Sequence, residues 1–375
     1  MKPKRFLKKR PKNNIVLKKQ PKGKLDLLLI FLTCFLSLFG LLMIFNTSFP
    51  SAIADFGDKY HYFKEQLQWI AIAFLSMLFF MHFDYHRLYN FAVPFLLIAL
   101  ILLVAVFIPG IGVNVLGASR WIKIGFINFQ PAEFAKLSLI IYLASWFSFK
   151  ERKRLISFLI LMVIFAALIV LEPDLGTAAI VAFTALVLYF LSGASIWHFF
   201  FILPLIAGSG AILAIISPYR FARIMTFLNP NIDPQGASYH IQQILLALGS
   251  GGWFGLGFGQ SKQKFAYLPE AATDSIFAIA GEELGFIGAS IVIVLFAILF
   301  IRGFKIAFKS SDRFGLLLSG GLISALIFQT LVNLGSMVAL IPLTGVPLPF
   351  LSYGGSSLLI SFSMIGILLN ISKQS

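Results

Sequence analysis

The chain has 375 residues, of which 59% are hydrophobic and only 12% charged, and its mean hydropathy is +0.91. That balance excludes a soluble globular domain and makes the membrane its solvent. The formal charge of +15 would suit a nucleic-acid binder, but the basic residues gather at the ends of apolar runs, where they act as topology signals, so nucleic acid is excluded as a partner.

In chain order, residues 1–24 carry eleven Lys or Arg and no acid, a basic tail expected to be cytoplasmic. The apolar run over 25–45 is too long for the core of a signal peptide and has no small-residue cleavage site before Asn46, so it reads as a first anchor. Nine more runs follow, over 66–83, 91–108, 134–149, 155–171, 175–191, 196–216, 275–301, 314–341 and 350–371. They lack strict alternation and suit a core roughly 30 Å thick, so helices are expected and a barrel is not. The expected fold is therefore all-α: a polytopic bundle of ten transmembrane helices, one domain over 25–375. Ten crossings place both termini on one side, and 21 of the 30 Lys and Arg fall there, which predicts N-in and C-in. The acids run the other way, with Asp55, Asp58, Glu65, Glu133, Glu172, Asp174, Asp233, Glu270 and Asp274 outside or at that boundary. A large extracytoplasmic loop over 217–274, between helices 7 and 8, is rich in Gly, Pro and aromatic residues and is expected to fold back on the membrane surface. Cys34 is the single cysteine, so no internal disulfide exists.

Several constellations stand out, each with two readings. Arg120, Trp121 and Lys123 lie outside; Trp121 suits either a sugar face or the interfacial aromatic belt. Glu133 and Lys136, three apart at a helix start, form an ion pair. Arg220 and Arg223 share a helix face and either grip one anion, a phosphate or pyrophosphate, or anchor to head groups. The glycine-dense GSGGWFGLGFG over 249–259 lacks the Lys-Ser or Lys-Thr of a nucleotide loop and reads as tight turns in a re-entrant segment. Lys262, Lys264, Glu270 and Asp274 converge before an apolar run. If Pro269 opens a helix, Glu270 and Asp274 share a face and one holds the other partly protonated, as a general base requires; alternatively Asp274 caps the helix that follows. Glu282 and Glu283 lie deeper, where a carboxylate costs on the order of 2.5–3.5 kcal/mol, and serve either a proton or ion relay or hydrogen bonding within the bundle. The five histidines show no metal-ligand spacing.

The stretches GASRWI with QPAEFAKLSL, EPDLGTA, YRFARIMTFLNP, ALGSGGWFGLGFGQSKQKFAYLPEAATDSIFAIAGEELGFIG and PLTGVPLPFLSYGGSSLL together resemble the SEDS family, the FtsW, RodA and SpoVE group of wall polymerases. The resemblance covers nearly everything after residue 25, and its wording is closest to the division-type members. It implies a ten-helix bundle that polymerises lipid II into peptidoglycan at the outer face of the bacterial cytoplasmic membrane, at the division septum. It also implies a class B penicillin-binding protein and other divisome proteins as partners. Carried over residue by residue, the family's essential acid falls on Asp274, its Arg-Trp pair on Arg120 and Trp121, and its "QPAE" block with the lysine on Glu133 and Lys136. One departure is Ser275, where the family usually has an aromatic residue.

On this reading Asp274 is the general base, and Arg120, Trp121, Glu133, Lys136, Arg220, Arg223, Lys264 and Glu270 bind substrate, with or without a divalent cation such as Mg2+ or Mn2+. Two other readings are a lipid II flippase, which predicts essential polar residues along a path through the bilayer, and a non-catalytic scaffold for the penicillin-binding protein.

Overall fold

The computed structural model describes residues 23–115, 118–125, 127–149, 154–229, 238–265 and 267–375. The basic tail lies outside the described residues as far as residue 22, as do Lys150, Arg152, Lys153 and Asp233. Twelve helices occur among the described residues: α1 (Leu27–Phe56), α2 (His61–His82), α3 (Tyr85–Ala105), α4 (Pro131–Phe147), α5 (Leu155–Leu171), α6 (Leu175–Leu191), α7 (Ile196–Ile216), α8 (Pro218–Leu228), α9 (Tyr239–Ser250), α10 (Ile276–Lys309), α11 (Arg313–Met337) and α12 (Gly355–Gln374). All ten apolar runs fall on helices, and α8 and α9 lie in the segment expected as a loop.

Length and apolarity suffice for crossing a membrane in α1, α3, α7, α10, α11 and α12, while α5 and α6 are apolar but shorter. The 17 residues of α5 rise about 26 Å at 1.5 Å each, a little under the hydrocarbon thickness. Enclosure differs sharply along the chain: 89% of the most apolar stretch of α12 and 78% of that of α11 are buried inside the bundle, against 11% for α7. Small residues explain the centre. Without a hydrophobic force between helices in lipid, association depends on close approach, and a Cβ on Gly321 of α11 would press on Ile140 of α4 and Leu188 of α6 at 2.9–3.0 Å. So α11 packs directly on α4 and α6, while α2 lies along α12.

The all-α expectation needs one correction. Between α3 and α4 lies an antiparallel three-stranded sheet, β1 (Gly112–Val115), β2 (Ala118–Ile124) and β3 (Ile127–Phe129), in the order β1-β2-β3. Trp121 and Ile122, aromatic and β-branched, suit β2, and Gly125, at φ 62, supplies the left-handed turn into β3.

The helix α10 is broken. Gly285 has φ 69 and ψ −171, and the glycine-dense segment after α9 is stitched into the gap. Leu256 and Gly257 donate backbone N–H groups to the carbonyls of Glu282 and Glu283 at 3.0 and 3.1 Å. Phe286 and Ile287 donate to the carbonyls of Gly252 and Trp253 at 2.8 and 3.2 Å. Groups orphaned by the break are thereby satisfied, as apolar surroundings demand. A Cβ on Gly255 would run into the Glu283 carbonyl, and one on Gly285 into the Gly255 amide, so the glycines serve close backbone approach as well as the turn geometry expected of them. The Glu282 and Glu283 side chains are each 1% exposed and close the stitch. Glu283 accepts from the amides of Gly259 and Ser261 at 3.0 and 3.1 Å and from the Asn46 side chain, while Glu282 accepts from the Lys262 amide at 3.1 Å and the Ser261 hydroxyl. Of the two readings of these acids, hydrogen bonding within the bundle is the one the geometry supplies.

Candidate active site around Asp274

The segment from Tyr267 to Ser275 is a succession of turns, and Pro269 opens no helix, so the condition for Glu270 and Asp274 to share a helix face is not met. Glu270 sits at φ 50, and its carbonyl accepts from the amides of Thr273 and Ser275 at 3.2 and 3.1 Å. These turns still bring Glu270 beside Asp274. The residue at the N-cap of α10 is Ser275, without a side-chain cap bond, so capping does not occupy Asp274. Its carboxylate is 7% exposed, and the hydrogen bond it accepts comes from the Thr273 hydroxyl at a long 3.4 Å.

Burial, reinforced by the charge of Glu270 and opposed by the Arg223 guanidinium and the Thr273 hydroxyl, pushes the Asp274 carboxyl up from 3.8 to about 7. An acid poised there exchanges a proton near neutrality, as a general base must. Beside it, Ser275 is joined to His240 of α9 by a 2.8 Å hydrogen bond between the hydroxyl and Nε2. Burial and the Arg223 charge push that imidazole down to about 4, so it stays neutral. Ser275, the departure noted from the resembled pattern, thus has a polar partner in His240.

What fixes Asp274 was not legible beforehand. Asn333 of α11 donates its amide to the Asp274 carbonyl at 2.9 Å and to the Val346 carbonyl at 2.8 Å. One helical turn earlier, Gln329 donates to the Pro347 carbonyl at 3.0 Å and accepts from Lys136 at 2.6 Å. Gln329 and Asn333, four apart on one face of an apolar helix, thus hold the loop before α12 with one hand and the charged residues with the other. Two amides at this spacing inside a membrane helix were the available signal. The same loop brings Gly345, at φ 70, beside Asp274 Oδ2, and Tyr353 donates its amide to the Ala272 carbonyl at 2.9 Å.

The other predicted residues fall into separate groups. Arg223 of α8 donates to the Leu343 carbonyl at 2.7 Å, so it joins the same loop and faces Asp274 and His240 electrostatically. Glu133 and Lys136, in the first turns of α4, form the expected ion pair at 2.8 Å, buried at 2–3% exposure. Arg220 reaches the Val170 carbonyl at 3.1 Å, and Arg120 the carbonyls of Glu172 and Pro173 at 3.0 and 2.6 Å. Both therefore bind the α5–α6 corner, which itself packs on the loop before α12 through Gly176 against Thr344 and Val346. Trp121 is half-buried on β2, opposite Val113. Lys264 lies apart, buried in the stitched break of α10, where its ammonium pairs with Glu283 at 3.3 Å and donates to Asn46 and the Gly259 carbonyl at 2.7 and 2.6 Å. Among the described residues no three His, Cys, Asp or Glu side chains are grouped to hold a metal ion.

The α5–α6 corner also holds Glu172, fully buried with neither carboxylate oxygen hydrogen-bonded. Burial and the neighbouring Asp174, against the opposing charge of Arg120, push it up to about 8.

Comparison with known proteins places this architecture. The family model described as cell cycle protein, FtsW/RodA/SpoVE, matches residues 26–375. Stage V sporulation protein E of Bacillus subtilis is 43% identical over 93% of this chain and 97% of its own length. A protein of Trichlorobacter lovleyi named "probable peptidoglycan glycosyltransferase FtsW" is 42% identical, over 92% of this chain and 93% of its own. Among solved structures, a chain of a peptidoglycan synthase complex that coordinates polymerization and crosslinking superposes with a TM-score of 0.77 at 28% identity, over 93% of this chain and 97% of that one. The rod shape determining protein RodA of Thermus thermophilus gives 0.69 at 28% identity, over 93% and 96%.

Proposed function

The chain belongs to the FtsW/RodA/SpoVE family, and from that premise we propose that it is a peptidoglycan glycosyltransferase polymerising lipid II at the outer face of the cytoplasmic membrane during cell division. The observation that carries the proposal is Asp274: a nearly buried carboxylate, unused as a helix cap, raised to about 7 and set beside Arg223.

Outside the membrane a donor must carry its own leaving group, and a lipid pyrophosphate does. Asp274 accepts the proton from the acceptor sugar's 4-hydroxyl as that oxygen attacks the donor's anomeric carbon and inverts it from α to β. The bond to the pyrophosphate breaks, and its negative charge is met by Arg223, with Arg120, Arg220 and Lys136 in the surrounding layer. Glu133 holds Lys136 in place, and Trp121 and Glu270 border the sugar path. A divalent cation, Mg2+ or Mn2+, finds Asp274 and Glu270 at this turn but no third acidic or histidine ligand among the described residues. That donor set is too small for a resident site. Lys264 acts from the α10 break, shaping the segment that leads into the Asp274 turns.

In the membrane, α1 to α7 and α10 to α12 make ten crossings of one domain over 25–375, with both termini cytoplasmic and the segment 217–274, including α8 and α9, on the outer face. This topology is supported by the 21 of 30 Lys and Arg on the terminal side. A class B penicillin-binding protein and other division proteins are the partners that follow from the family.

The test is glycan-ladder formation from labelled lipid II by purified protein, with contaminating polymerases blocked. Asp274→Asn is expected to abolish the ladders. Full polymerisation by this variant would refute the catalytic role and favour the scaffold; transport of lipid II without polymerisation by the wild type would favour the flippase.

A further inference from the structure

The end of α10 opposite Asp274 holds a polar cavity that the proposed polymerase chemistry does not use. Its volume is about 280 Å³, and it is walled by the segment entering α1, the last turns of α10 and the end of α12. The entering segment is seated closely there: a Cβ on Gly23 would press on the backbone carbonyls of Ser372 and Ser375.

Lys24, Arg302, Lys305 and Lys309 line the cavity. Its acid, Asp26, is already committed. One of its oxygens caps α1 through the Leu29 amide at 3.1 Å, and the other pairs with Arg302 at 2.7 and 2.9 Å. Against four cationic side chains stands this one acidic side chain, so positive side-chain charge remains in excess. Among the described residues no ion pair forms to Lys24, Lys305 or Lys309. The walls carry apolar side chains into the adjoining turns, with Leu27 70%, Phe31 60%, Ile301 53% and Phe308 78% exposed. A cationic cleft that opens onto exposed apolar helix surface matches an amphiphile with an anionic head.

We propose that this cleft binds the phosphodiester head group of an anionic phospholipid, with its acyl chains lying along α1 and α10. The head-group charge offsets the lysines that the chain leaves uncompensated, in a basic pocket between membrane helices. A soluble phosphate would satisfy the same lysines but would leave the apolar flanks unused.

The experiment uses the full chain in detergent, titrated separately with dioctanoyl-phosphatidylglycerol, dioctanoyl-phosphatidylcholine and inorganic phosphate, and read by thermal unfolding and native mass spectrometry. Phosphatidylglycerol is expected to bind and raise the melting temperature. Phosphatidylcholine and inorganic phosphate are expected to have at least tenfold weaker effects. The Lys305→Gln/Lys309→Gln double variant is expected to lose at least tenfold in phosphatidylglycerol affinity while keeping its melting temperature in lipid-free detergent. Lys64→Gln, in the first turn of α2, is expected to bind like the wild type. Equal binding of phosphatidylcholine, equal binding by the double variant, or saturation by inorganic phosphate at matched concentration would overturn the proposal. If the double variant unfolds, Lys305→Gln and Lys309→Gln are tested singly, and unchanged affinity in both would overturn it equally.

Discussion

Replacing Glu270 by Gln removes a charge that helps hold Asp274 protonated. Raising the Asp274 carboxyl from 3.8 to about 7 penalises its ionised form by roughly 4 kcal/mol, at about 1.4 kcal/mol for each tenfold change in proton affinity. Burial is the larger cause and Glu270 the next, so the variant's pKa falls; a tenfold change in proton affinity, about 1.4 kcal/mol, serves as the working magnitude. A base works when deprotonated, so activity rises with pH through this value, and the variant's acid limb should move toward lower pH. At pH 6 the ionised fraction then rises about fivefold, from about a tenth to a half, whereas at pH 8 it changes by less than about 1.2-fold. The assay is the initial rate of polymerisation across pH, and the readout is the ratio of rates at pH 6 and pH 8. That ratio is insensitive to a uniform loss of substrate contact by Glu270. An acid limb in Glu270→Gln that coincides with the wild type would refute the electrostatic account of Asp274.

The converse change, Arg223→Gln, removes a charge that favours the ionised base and should move the acid limb to higher pH, measured in the same way. Lys136→Met leaves the Glu133 carboxylate buried without its cation and should cost about 3–5 kcal/mol in thermal or denaturant unfolding, with much of the loss regained in Glu133→Gln/Lys136→Met. Gly285→Ala combines a left-handed φ with a clash against the Gly255 amide. It should lower stability by about 2 kcal/mol or more, whereas Gly249→Ala, with open space around its Cβ, should be neutral or slightly stabilising in the same melt. Glu172 binds its proton more tightly folded than unfolded, so the wild type should lose stability as pH rises from about 4.5 to about 8. The slope is at most about 1.4 kcal/mol per pH unit, and Glu172→Gln should flatten it in melts taken across that range.

The ten apolar runs, the ion pair of Glu133 with Lys136 and the approach of Glu270 to Asp274 are all written in local sequence. Apolar length, an i,i+3 charge pair and two acids close in sequence each depend on residues within a turn or two of one another, so one dimension suffices to read them. The sheet of β1 to β3 is not legible in the sequence, because its strands have 4, 7 and 3 residues and no regular alternation. Tertiary structure decided the rest. Lys264 and Glu283 are 19 residues apart and both lie 218 or more from Asn46, and only the stitched break of α10 makes them one network. Asn333 reaches Asp274 across 59 residues and Lys136 reaches Gln329 across 193. A buried polar group is satisfied by whatever the fold carries to it, and in an apolar bundle that partner comes from a different helix. Sequence therefore determined which segments are helical and which charged side chains are available, and helix packing decided which of them meet, because proton affinity and pairing depend on distance and burial rather than on order along the chain.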